Sequence, residues 1–454
     1  MKKIDSLIHA RWVIPVNSDG HSIQNSDPSE EMRINNDVLE NHSIAVNDGK
    51  ILAIIATEEA KTTYVANQEY HLTDHALIPG LINTHMHAGM NLMRGYADDL
   101  PLMDWLQNHI WPAEAKWVSA EFVYEGTQLA IAESLRCGVT TMNDMYFFPD
   151  EAAKACDESG IRATVGLIVI DFPTVWAANA DEYLEKGLAL HDKLRDNTRI
   201  NTAFAPHAPY TVSDAPLKKI ALYAEELNIP IHMHVHETAF EVHQAVEDTN
   251  KRPLERLKNL GLLSSRLLAV HMTQLNDDEI QMCVENGVHV VHCPESNMKL
   301  ASGFCPTHKL QQAGINITLG TDSAASNNDL DMFGEMKTAA MLAKVVSGDA
   351  TALSAHQALS MATINGAKAL GIDNITGSLE AGKAADITAI DLSEIETQPL
   401  YNPVSQIVYS TSRTQVSHVW VDGKCLLKNR ALTTLNEKHL KFISDSWHEK
   451  LKEN

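Results

Sequence analysis

The sequence places imidazoles where a strand would aim them together. "THMH" sets His85 and His87 two residues apart, and "IHMHVHET" sets His232, His234 and His236 at alternate positions with Glu237 directly after. Alternate side chains on a β-strand project from one face, so each group presents its rings to one side. Neutral imidazole suits a borderline metal such as zinc, and two on one strand can chelate a single ion. Further polar residues close short β-branched runs: His207 in "APHAPY", His271 in "AVHMT" and Asp322 in "TLGTDS". An HxH pair alone is weak evidence, and an aspartate before a helix is ordinarily a cap. Separate strand ends that offer His, His and Asp carry more weight, because together they compose a metal-ligand set.

Such residues need a scaffold that gathers strand ends. The middle of the chain supplies eight candidate strands, "LIPGLINTHMH", "VTTMNDM", "RATVGLIVI", "INTAFAPHA", "IPIHMHVHE", "LLAVHMT", "VHVVHCPES" and "NITLGTDS". Amphipathic stretches such as "DAPLKKIALYAEELN" and "NDDEIQMCVENG" separate them. Eight strand–helix units in series predict an α/β fold, a (β/α)8 TIM barrel whose site lies at the C-terminal strand ends. No GxGxxG follows an early strand, so an open dinucleotide-binding sheet lacks its phosphate turn. Both ends of the chain read instead as short strands, with "NDGK" and "DGK" as hairpin turns. We therefore expect residues 1–74 and 376–454 to form a small β-sandwich, the latter with a terminal helix, around a catalytic barrel of residues 75–375. The polar stretch 17–37 reads as an exposed loop.

Composition narrows the function classes. Against 36 basic residues stand 59 acidic ones, a formal charge of −23 over 454 residues, which opposes binding to nucleic acid. No apolar run approaches the ~20 residues of a membrane span, and the N-terminus lacks a secretory pattern. Six scattered cysteines without a CxxC pair suit reduced thiols, so a cytoplasmic location is expected.

Ordered motifs spread along the chain carry a resemblance. They are "PGLINTHMHAGMNLMRGYADDLPLMDWLQNHIWPAE", "APHAPYTVS", "IHMHVHET", "AVHMTQL", "VVHCPESNMKLASG" and "LGTDSAASNNDLDMFGEM". On these the sequence resembles the amidohydrolase superfamily and, within it, the 5-methylthioadenosine/S-adenosylhomocysteine deaminases. The resemblance implies one divalent metal per chain held by His85, His87, His234 and Asp322, with Zn2+ the first choice and Fe2+ the alternative. The fourth strand has no lysine to bridge two ions. Hydroxide generated at the metal would attack C6 of a purine, with Glu237 moving protons and His271 and Asp322 holding the hydroxide. Glu114 would accept hydrogen bonds from the ribose hydroxyls, and His207 would contact the nucleoside. The implied reaction converts 5′-methylthioadenosine, S-adenosylhomocysteine or adenosine to the inosyl product and ammonia, in a protein that forms homo-oligomers. Another aminopurine deaminase or a triazine-type hydrolase would use the same metal site, and a non-catalytic barrel would not need its ligands.

Rise along the strand separates the three histidines of "IHMHVHET". At ~3.3 Å per residue, His232 and His236 each lie ~6.6 Å from His234. One ion ~2.0–2.1 Å from each nitrogen is not readily shared by all three. Only His234 has a glutamate three residues later, so it is the expected ligand. His232 is expected inside the barrel below the metal, and His236 at the rim or beside a ligand. Met86, Met90, Met93 and Met103 are expected in the core, with one or two as candidates to line a pocket for a thioether. The 169–183 stretch has no arginine, so no cation there grips an amino-acid carboxylate. His109, His243, His289, His292, His308 and His356 read as structural or surface residues.

Overall fold

A computed structural model describes residues 1–17 and 38–452 of the chain; the loop expected at 17–37 lies outside them but for its first residue. Eight parallel strands run in chain order around a barrel: β5 (Leu81–Met86), β6 (Val139–Asp144), β7 (Arg162–Val169), β8 (Ile200–Pro206), β9 (Ile231–Val235), β10 (Leu267–His271), β11 (His289–His292) and β12 (Ile317–Leu319). All eight coincide with the runs picked out in the sequence. Strands β5, β6, β7 and β9 are buried at every residue, because helices cover the outer face while the inner face fills the barrel. The ring closes between β12 and β5, where Asp322 N–H donates to His85 O at 3.0 Å and Thr84 Oγ1 donates to Leu319 O at 2.7 Å. Gly320 makes this closure possible. A Cβ there would stand 2.8 Å from His85 N and 2.9 Å from His85 O.

The chain ends share a second sheet of eight strands. The N-terminal part comprises β1 (Lys2–Val13), β2 (Leu39–Asn47), β3 (Lys50–Ala56) and β4 (Tyr64–Pro79). The C-terminal part comprises β13 (Ile387–Asp391), β14 (Val416–Val421), β15 (Lys424–Lys428) and β16 (Ala431–Leu432). Their spatial order is β16-β15-β14-β13-β4-β1-β2-β3, so the two ends join where β4 pairs with β13. A bridge between Lys50 and Ala384 brings β3 back against the C-terminal segment, and the sheet encloses its own core of Ile8, Ile44, Leu77, Ile387 and Trp420. Both sequence-legible turns are hairpin tips with two successive positive φ values, Asp48–Gly49 and Asp422–Gly423. The tips pack against each other, leaving no room for a side chain on Gly49 beside Asp422 O.

Barrel and sheet are fastened by charge as well as by packing. Arg162, at the start of β7, donates from Nε to Asp386 Oδ2 at 2.8 Å and from Nη2 to Asp422 Oδ1 at 2.7 Å. Its side chain and that of Asp386 are fully buried. The terminal helix Glu437–Leu451 lies on the helix Ala120–Arg136, with Trp447 edge-on to Phe122 at 5.1 Å. Among the described residues, no helix is long and apolar enough to cross a membrane.

Candidate active site

The C-terminal strand ends bring the predicted polar residues together. His85 lies next to the end of β5 and His87 just beyond it; His234 is on β9, and Asp322 follows β12. His234 Nε2 stands 3.2 Å from His85 Nε2, and Asp322 Oδ1 stands 3.3 Å from His85 Nε2 and 3.2 Å from His87 Nε2. Donors ~2.0–2.1 Å from a tetrahedral ion are about 3.3 Å apart, so these spacings fit a single ion. The other ring nitrogens are already engaged. Nδ1 of His85 meets His232 Nε2 at 2.8 Å, Nδ1 of His87 meets Met145 O, and Nδ1 of His234 meets His207 O at 2.8 Å. Each ring is thereby fixed with Nε2 inward, the arrangement that orients metal-binding histidines.

Around this cluster lie the groups that could move protons. Glu237 accepts from Ser302 Oγ at 3.3 Å, and its Oε2 is 3.7 Å from His271 Nε2. Burial raises the Glu237 carboxyl above its usual range, against the opposing effect of His271. His271 Nδ1 meets Asn297 Oδ1 at 2.8 Å, which holds its Nε2 toward Glu237 and the cluster. Asp322 accepts from Ser296 Oγ at 2.6 Å and from the N–H of Ser323 at 2.7 Å.

These groups sit at one end of a cavity of about 470 Å3. Its wall includes Glu114 and His207, both singled out in the sequence. Glu114 accepts from Tyr146 OH at 2.7 Å, and burial pushes its carboxyl up to about 7. The His207 imidazole is pushed down to about 3, first by burial and then by His87 and His85, so it stays neutral. Of the four methionines considered for a pocket, only Met90 lines the cavity, whereas Met86 and Met93 are core residues.

His236 departs from expectation. Strand β9 stops at Val235, and His236 adopts a φ of 55°, so strand parity no longer governs where its ring points. The ring is fully buried beneath the helix Pro253–Asn259, where Nε2 accepts from Leu254 N–H at 3.3 Å and lies 3.6 Å from Glu279. It is neither at the rim nor beside a ligand. His232 does lie inside the barrel, under His85.

Sequence reasoning passed over Tyr146, Asn297, Ser302 and Glu241. Glu241 accepts from the N–H of Glu237 at 2.7 Å and of His236 at 3.1 Å, while Thr238 Oγ1 accepts from Glu241 N–H. "TAFE" carries the capping signature that could have found it. Asn297 and Ser302 lie beyond β11 and announce themselves by no spacing.

The amidohydrolase family profile matches residues 76–426, from the end of β4 through the barrel to the second sheet. The chain belongs to the amidohydrolase family. Within this metal-dependent family it is 48% identical over 447 residues to the 5-methylthioadenosine/S-adenosylhomocysteine deaminase of Saccharophagus degradans, covering 98% of this chain and 97% of that one. It is 47% identical to the enzyme of the same name from Teredinibacter turnerae, over 99% of this chain and 98% of that one. In structure it is similar to an adenosine deaminase from Xanthomonas campestris with bound zinc, with a TM-score of 0.94, 48% identity and full coverage of both chains. This amidohydrolase thus has a His-rich cluster with the donor set of a metal site.

Proposed function

We propose that this amidohydrolase deaminates adenosine-type nucleosides hydrolytically, among them 5′-methylthioadenosine, S-adenosylhomocysteine or adenosine, releasing ammonia. The observation that carries the reading is the convergence of four donors beside Glu237, in a cavity that also presents Glu114. His85, His87, His234 and Asp322 would hold one divalent ion, Zn2+ in preference to Fe2+ given the imidazole-rich set. That ion supplies Lewis acidity, which makes water a competent nucleophile at neutral pH. Glu237 takes a proton from the attacking water and delivers it to ring N1 as C6 becomes tetrahedral. It then takes the proton of the new C6 hydroxyl and delivers it to the amino group, which leaves as ammonia as the C6–N bond breaks and the C6 carbonyl forms. Burial, which raises the Glu237 carboxyl above the usual range, makes it a readier proton acceptor than an exposed glutamate. His271, aligned by Asn297, and Asp322 flank the attacking oxygen. Glu114 accepts from the ribose hydroxyls, and neutral His207 hydrogen-bonds the nucleoside.

We place the protein in the cytoplasm, where its free cysteines stay reduced, and as a homo-oligomer. A steady-state ammonia-release assay on metal-loaded protein tests the activity. The reading predicts turnover of at least one of the three nucleosides; turnover of free bases or chlorinated heterocycles alone would overturn it. Glu114→Gln should lower nucleoside turnover without affecting any turnover of free bases.

A further inference from the structure

The wall of the cavity divides sharply by chemistry. Its polar end holds the histidines with Glu237, Asp322 and Glu114, and among the described residues no lysine or arginine lines any part of it. Two segments build much of the apolar remainder, with Tyr210, Ser323 and Ser326 adding hydroxyls from other strand ends. One is the helical run Leu102–Trp117, which contains a π-helical turn at Leu106–Ile110, and the other is the loop after β7. They present Leu106, Ile110 and Trp111 opposite Ile170, Phe172 and Val175, with Trp111 edge-on to Phe172 at 6.4 Å. Phe172 and Val175 are 42% and 55% exposed, so apolar surface lines the cavity wall where water can reach it. The hydroxyl of Thr174, the polar group between them, is already bound to Tyr183 OH at 2.5 Å.

Glu114 fixes where a ligand meets this wall. It lies about one helical turn beyond Ile110 and Trp111 and therefore shares their face. A nucleoside with its base at the histidines and its ribose hydroxyls on Glu114 has one substituent left, at C5′, and what is left to meet it is mostly apolar wall with no cation. We infer that the cavity selects nucleosides with a neutral, apolar 5′ substituent, such as methylthio, and discriminates against the zwitterionic amino-acid extension of S-adenosylhomocysteine. This inference rests on the deaminase reading and deepens it. The α-carboxylate of that extension would lose water without gaining a cation, and every charged carboxyl in the wall would repel it. Its ammonium group would find Glu114 already committed to the ribose. A thioether methyl instead covers apolar surface that otherwise faces water.

The test is a kcat/KM panel by ammonia release on the metal-loaded full chain. It uses adenosine, 5′-methylthioadenosine, 5′-isobutylthioadenosine and S-adenosylhomocysteine. 5′-Methylthioadenosine should exceed adenosine by about tenfold and S-adenosylhomocysteine by at least about tenfold. The isobutyl compound, bulky but uncharged, should stay within about threefold of the methyl compound. Val175→Arg, which adds the missing cation at an exposed position, should raise the ratio of S-adenosylhomocysteine to 5′-methylthioadenosine by about tenfold. S-Adenosylhomocysteine within threefold of 5′-methylthioadenosine in the unaltered protein would overturn the inference, as would an isobutyl compound rejected equally strongly. Turnover of adenosine in the same panel shows that the deaminase reading stands in either case; no turnover of any nucleoside would bring down both.

Discussion

Replacing His232 with leucine removes the acceptor that His85 Nδ1 meets at 2.8 Å. For His85 to offer Nε2 as a lone pair, its proton must be on Nδ1, and His232 holds it there. Both rings are fully buried, so no water substitutes for the lost partner. A buried donor left unsatisfied costs about 1–3 kcal/mol. Loss of such an orienting partner lowers metal affinity by about 10–100-fold, which is about 1.4–2.8 kcal/mol, and the two routes agree. The assay is a zinc titration in competition with a chromophoric chelator at pH 7.5. His236→Asn serves as the control, since His236 contacts Leu254 and Glu279 and not the cluster, and asparagine tolerates its positive φ. The variant His232→Leu should lose at least about tenfold in affinity while His236→Asn stays within about threefold. Unchanged affinity in His232→Leu, or equal losses in the two variants, would refute the reasoning.

Other perturbations have equally definite outcomes. Burial raises the Glu114 carboxyl to about 7, so its proton stays on below that pH and it becomes a weaker acceptor for two hydroxyls. KM for adenosine should therefore rise as pH falls from 8 to 6, and Glu114→Gln should flatten that dependence; a profile identical in both proteins would contradict the role. Arg162→Leu strands buried Asp386 without its cation and should cost about 3–5 kcal/mol in denaturant unfolding. Asp422→Asn, altering a partner that is 36% exposed, should cost only about 1 kcal/mol, and equal losses would refute the distinction. Gly320→Ala forces a methyl onto the His85 backbone where the barrel closes. It should destabilise the fold by at least about 1–3 kcal/mol and weaken zinc binding, read by thermal melting and the same chelator assay.

How much was legible follows from what local rules can encode. The barrel strands are short β-branched runs with helical stretches between them, so each declares itself locally. Parity placed His232 and His234 on the inner face because both lie within β9. It failed at His236 because the strand ends one residue earlier and the backbone turns left-handed there. The hairpin tips at Asp48–Gly49 and Asp422–Gly423 were readable from turn chemistry. The parallel pairing of β1 with β4 and the β4–β13 junction were not, since they depend on contacts between distant segments. Asn297, Ser302 and Tyr146 escaped for the same reason: each acts through a partner from another barrel unit, and no spacing in the chain announces it.

On the proposed function, Glu237 moves the protons of a deamination at a metal held by His85, His87, His234 and Asp322. The most direct test pairs elemental analysis with ammonia release for the unaltered protein and Glu237→Gln. Both should contain one equivalent of divalent metal per chain, while the variant should lose about 10²–10⁴-fold in kcat on adenosine-type nucleosides. An unaltered protein without bound metal, or a Glu237→Gln variant that keeps full turnover, would contradict the account.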